Sequence, residues 1–118
     1  VYNNLGLVYQ DMGKDEAAMA AFSEAIERAP ENMALQINRR QLMLRAQGMS
    51  APDRYAVLVT EYPDQPQLWR AYASELAERG RLEEALEACQ IVLKLDPSDH
   101  QVRRNIDHLK ARIAARTD

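Results

Sequence analysis

Pro30, Pro63 and Pro97 recur 33 and 34 residues apart, and no other feature constrains the fold of this 118-residue chain as tightly. Each proline ends an apolar segment and is followed by polar residues, in "RAPEN", "EYPDQ" and "LDPSD". A glycine precedes each at a similar distance: Gly13, Gly48 and Gly80 stand 17, 15 and 17 residues before their prolines. Self-similarity at a fixed period in this range marks a stacked-repeat architecture. Each unit is then a supersecondary element too small to bury its own apolar face, and neighbours must cover one another.

Between these marks the apolar residues fall at helical spacing. Leu5, Val8, Tyr9 and Met12 step by three and four, as do Ala18, Phe22, Ala25 and Ile26, and again Leu82, Ala85, Leu86, Cys89 and Leu93. None of these stretches alternates every second residue as a strand would. Gly13 and Gly80 supply the left-handed conformation favoured where a helix stops. The prolines close the second helix of each unit, because proline biases the residue before it away from helix. The expected helices are seven, over about 1–12, 15–28, 33–46, 51–61, 66–78, 82–95 and 99–116. The fold class that follows is all-α, a solenoid of antiparallel helix pairs.

On these residues the chain resembles the tetratricopeptide repeat (TPR) family. Residues 2–30 carry its pattern in Tyr2, Leu5-Gly6, Tyr9, Gly13, Ala18, Phe22, Ala25 and Pro30. Residues 69–97 carry it again in Trp69, Leu76, Gly80, "RLEEA" ending at Ala85, and Pro97. There Tyr72-Ala73 replaces Leu-Gly, Cys89 takes an aromatic position and Val92 a small one. The unit 33–63 is degenerate: it keeps Asn38, Gly48, Ala51, Tyr55 and Pro63, with one extra residue before Gly48 and Pro52 in the first turn of its second helix. The resemblance implies one domain over 1–118, a right-handed superhelix with repeats at about 1–32, 33–65 and 66–98 and a capping helix at about 99–116. Gly6, Ala18, Ala25, Ala73 and Ala85 are expected where paired helices approach closely, with Tyr9, Phe22 and Trp69 filling the wider gaps. Val102, Ile106, Leu109 and Ile113 form the stripe with which the last helix covers the final repeat. Arg103, Arg104, Lys110, Arg112 and Arg116 flank that stripe. A basic amphipathic helix lying on an acidic surface is the alternative for this segment.

The composition is that of an ordinary soluble domain, 47% hydrophobic and 28% charged, with only four glycines and five prolines. Net charge is −3 and the pI about 5.4, which argues against a general polyanion binder. The charge is uneven, −6 over residues 1–99 and +3 over 100–118. No apolar run approaches the ~20 residues of a membrane span. The lone Cys89 permits no internal disulfide and fits a reducing compartment, hence the cytoplasm rather than the periplasm. The chain begins at Val1, which leaves room for a preceding segment.

Catalytic, metal-binding and cofactor chemistry find no support in the sequence. His100 and His108 lie eight residues apart on one helix, about 12 Å of rise, too far to share an ion. Cys89 falls at an apolar helix position with no histidine in its repeat to activate it. Asp15-Glu16 and Glu83-Glu84 open helices, where carboxylates suit the macrodipole.

The resemblance implies a concave face built by the first helix of each pair, binding a peptide or helical segment of a protein partner. The residues expected there are Asn3, Leu7 and Gln10, then Asn38, Gln41 and Arg45, then Arg70, Ser74 and Ala77, and from the capping helix Arg104 and His108. Asn3, Asn38, Arg70 and Arg104 would make a polar, partly basic groove suited to an acidic segment. The Lys/Asn, Asn, Lys/Arg clamp by which TPR co-chaperones grip EEVD tails is broken here. Asn38 matches one element, but Asn3 and Leu7 replace the first pair, and Gln67 and Ala71 the last. The expected function is a non-catalytic interaction module, an adaptor or assembly scaffold, and the Ala- and Arg-rich composition has a bacterial character. The alternatives are a substrate-positioning segment of a larger enzyme and a self-association module.

Overall fold

The computed structural model describes residues 15–117, and every regular element among them is an α-helix. The helices are α1 (Asp15–Arg28), α2 (Met33–Ala46), α3 (Ala51–Glu61), α4 (Pro66–Glu78), α5 (Leu82–Leu95) and α6 (His100–Thr117). All six agree with the bounds expected from periodicity to within one residue. The helix expected over 1–12, with Asn3, Leu7 and Gln10, and the turn at Gly13 lie outside the described residues.

The punctuation works as its chemistry requires. Gly48 (φ +85°) and Gly80 (φ +75°) are the described residues with positive φ. Each ends a helix in a Schellman motif. After α4, the N–H of Gly80 donates to Ala77 C=O (3.1 Å) and that of Arg81 to Leu76 C=O (2.9 Å). After α2, the N–H groups of Gly48 and Met49 donate to Arg45 and Leu44 in the same register. Pro66 opens α4 at its first helical position, where the missing N–H costs nothing.

At the proline junctions a further bond recurs. Six residues after each proline, in the first turn of the next helix, a side chain donates back to the proline carbonyl. Gln36 Nε2 bonds Pro30, Trp69 Nε1 bonds Pro63 at 2.8 Å, and Arg103 Nη2 bonds Pro97 at 2.8 Å. The Trp69 ring also tilts against Tyr72, with centroids 6.2 Å apart.

The chain divides into two compact units, Val1–Ser50 and Ala51–Asp118. The division falls inside the degenerate sequence unit, between α2 and α3. In the first unit Ala18, Phe22 and Ala25 of α1 pack with Leu35 and Leu42 of α2, and Phe22 and Leu42 are fully buried. Asn32 caps α2, its side-chain oxygen accepting from the Leu35 N–H. Helix α2 has no single apolar stripe. Ile37 and Leu44 are buried as well, about 200° around the helix from Leu35 and Leu42.

In the second unit α3 packs on α4, α4 on α5 and α5 on α6. Its core runs through Ala73 and Leu76 of α4, Leu82, Ala85, Ala88, Cys89 and Val92 of α5, and Val102, Ile106 and Leu109 of α6. The small residues let the backbones approach closely, which leaves no room for a longer side chain. Ala85 is fully buried. Ala85→Leu is therefore expected to destabilise the protein by about 1–3 kcal/mol through overpacking. Denaturant unfolding monitored by circular dichroism checks it, and an unchanged midpoint would mean the α4–α5 contact has slack.

Candidate functional site

Because α4 and α6 both pack on α5, they flank a cleft, and in it lies a cavity of about 460 Å³. Its floor is apolar: Ala73 and Ala77 from α4, Cys89 from α5, and Val102 and Leu109 from α6. The rim is polar. Helix α4 contributes Arg70, Ser74 and Glu78, and α6 contributes Gln101, Asn105, His108 and Arg112. The four α6 residues fall within about 60° of one another around the helix, beside its apolar stripe.

Arg70 is not a bare cation. Its Nε donates to Asp99 Oδ2 at 2.7 Å, and its Nη2 reaches Asp96 Oδ2 at 3.5 Å. The other oxygen of Asp99 accepts from the Val102 N–H at 3.0 Å, the bond of an N-cap, so one carboxylate both starts α6 and grips α4. The Val102 N–H first, and Arg70 second, hold the Asp99 carboxyl below its ordinary 3.8. Asp96 is fixed in turn by Ser98, whose Oγ (2.7 Å) and N–H (3.3 Å) donate to its Oδ1. On the floor, burial pushes the Cys89 thiol up, and the negative charge of Asp99 adds to this. An un-ionised, buried thiol packs as a small apolar side chain.

Of the residues expected on a binding face, the cavity brings together Arg70, Ser74, Ala77 and His108. Arg104 is not among its lining; it lies farther round α6 from the apolar stripe, and its Nη2 donates to Gln101 Oε1 at 2.8 Å. Asn38 and Gln41 (half-buried) and Arg45 (exposed) belong to α2, in the first unit. Asn3, Leu7 and Gln10 lie outside the described residues. Sequence reasoning missed Glu78, Asp96, Asp99, Gln101, Asn105 and Arg112. An Asp immediately before an apolar helical stripe pointed to Asp99, and the spacing 101, 105, 108, 112 along one face to Gln101, Asn105 and Arg112; Glu78 and Asp96 had no local signal. The rim is charge-balanced rather than basic, with Arg70 and Arg112 set against Glu78 and Asp99.

Among the described residues no group of three His, Cys, Asp or Glu is placed to hold a metal ion, and no helix is long and apolar enough to cross a membrane. The tetratricopeptide repeat model matches residues 1–32, and a second model of that repeat matches residues 54–106. The chain belongs to the TPR family. Solved structures, TPR domains among them, share its fold. The first TPR of Spaghetti (RPAP3), bound to the HSP90 peptide SRMEEVD, superposes with TM-score 0.64 at 19% identity, covering 96% of this chain and 93% of that one. The second TPR domain of human RPAP3, in complex with the HSP70 peptide SGPTIEEVD, gives 0.58 at 21%, covering 92% of each chain. MamA (AMB-1) gives 0.61 at 19%, covering 96% and 68%. No curated protein matches the TPR chain significantly in sequence.

The depressed Asp99 carboxyl ties the stability of this TPR chain to pH. A group whose folded value lies below its unfolded one stabilises the fold above the unfolded value, and that contribution is lost as pH falls through the folded value. Asp99→Asn keeps a capping oxygen and removes the charge. Its melting temperature is expected to lie below that of the wild type at neutral pH, with the gap narrowing as the pH falls below 3.8. Thermal melts at neutral and acidic pH check it; a gap independent of pH would rule out the carboxylate charge as its source.

Proposed function

We propose that the protein is a non-catalytic interaction module, an adaptor or scaffold that holds a peptide or helical segment of a partner protein in the cleft between α4 and α6. The observation that carries this reading is the cleft itself. It has an apolar floor open to solvent, a polar rim contributed by two helices, and a volume suited to a few side chains rather than a whole domain. The TPR family is in general an interaction fold, and two of the similar structures hold peptides. The titratable side chains of the rim are spread along both helices, without the nucleophile–base–orienter geometry of a reaction centre.

The same reading takes the chain as one TPR domain, with repeats at about 1–32, 33–65 and 66–98 and α6 as its cap. Supporting the cap, α6 buries Val102, Ile106 and Leu109 while its other described positions are exposed, apart from half-buried Ile113.

Ser74 is exposed on the rim, so Ser74→Arg fills the cleft without touching the core. The variant is expected to melt within about 0.5 kcal/mol of the wild type. In a pull-down from the source cell, quantified by mass spectrometry, it should lose the wild type's partners about ten-fold or more. Gln90→Arg, on the outer face of α5, should retain them. Equal capture by both variants would remove the cleft as the binding site.

A further inference from the structure

We propose that Asp99, with Asp96 behind it, sets the charge preference of the α4–α6 groove against carboxylate-bearing segments, so that the groove takes an uncharged, apolar stretch of a partner protein. The inference rests on the groove being the binding site.

Arg70 is the only cation that α4 offers to the groove, and a carboxylate entering at that end would have to find it. Two carboxylates already hold it, at 2.7 and 3.5 Å. Neither is a loosely tethered surface acid. Asp99 is only 11% exposed at its side chain, and its second oxygen is committed to the Val102 N–H. It therefore cannot swing aside without uncapping α6. Asp96 is pinned by Ser98 in the same short linker. An incoming carboxylate meets two fixed negative charges around one satisfied positive one, and like charges at close range repel.

The far end does not reverse this. Arg112 stands 13 residues beyond Asp99 on the same rim, about 20 Å of helical rise away, and Glu78 shares that end of the cavity with it. Between the two ends the floor offers Ala73, Ala77, Cys89, Val102 and Leu109, which reward apolar side chains and nothing else. The field of Asp99 extends to that floor, since it contributes to raising the Cys89 thiol. Two of the similar structures hold EEVD-ending peptides.

The test uses two probe peptides, SRMEEVD and the uncharged acetyl-ALLAL-amide, titrated into isotope-labelled protein and followed through the backbone amides of Ala77, Cys89 and Leu109. The uncharged peptide is expected to shift these signals equally in the wild type and in the Asp96→Asn/Asp99→Asn variant, whose asparagines keep the capping oxygens. SRMEEVD is expected to bind the wild type about five-fold or more weakly than the variant. Arg70→Gln gives a second arm: it leaves Asp99 uncompensated and should weaken SRMEEVD more than it weakens the uncharged peptide. SRMEEVD binding equally to wild type and double variant would overturn the charge assignment while leaving the groove intact. A shift with SRMEEVD but none with the uncharged peptide would overturn the apolar occupant. Silence of both peptides in every protein would overturn the groove reading itself, and the proposal with it.

Discussion

The second unit of this protein hangs on the burial of α5. Its Leu82, Ala85, Ala88, Cys89 and Val92 are removed from solvent between two neighbours, and α4 and α6 come to flank one cleft only because each packs on it. The small side chains decide how closely they pack. Alanines at 73, 85 and 88 let the backbones approach, while Leu76 and Val92 fill the space that remains. A helix pair alone could not bury these faces, so the third helix is a condition of stability as well as one wall of the cleft. Architecture and site thus share a single cause.

Superimposed on that apolar frame is a small electrostatic device. The N-cap of a helix is ordinarily a local matter, a side-chain oxygen meeting an orphan N–H. In Asp99 the second oxygen is turned outward to the guanidinium of Arg70, 29 residues earlier in the chain. A helix-start signal has become a long-range contact, and the charge that starts α6 also colours the cleft. The interaction is partly exposed and modest in strength, as surface ion pairs are. What it controls is which groups remain available at the rim.

The helices were legible in the sequence because their boundaries are covalent facts. A proline cannot continue a helix, and a glycine at positive φ ends one, so Gly48, Gly80 and the three spaced prolines mark the ends regardless of packing. The apolar stripe of α6 was legible for the same reason, since 3.6-residue periodicity survives in any surrounding. The cleft was legible in outline only. Arg70, Ser74 and His108 fall where a helical wheel puts them. Arg112 in place of Arg104 depends on how far α6 is rotated about its axis, which packing on α5 decides. The pairing of Arg70 with Asp96 and Asp99 is a contact between elements far apart in sequence, invisible to local pattern. Helix α2 was the least transparent element, because its buried residues lie on two opposed faces and blur any single stripe.

The bonds to the proline carbonyls show what the repeat conserves physically. An amide at Gln36, an indole at Trp69 and a guanidinium at Arg103 all reach back from the first turn of a helix to close the loop before it. Three unrelated side chains share only an N–H donor and sufficient reach. Several residue types can thus fill the position, and a comparison of the units by amino-acid likeness sees three mismatches where the geometry has one solution. Units of a single chain can in this way drift apart in sequence while their junctions stay the same, a degeneracy of spelling without a change of meaning.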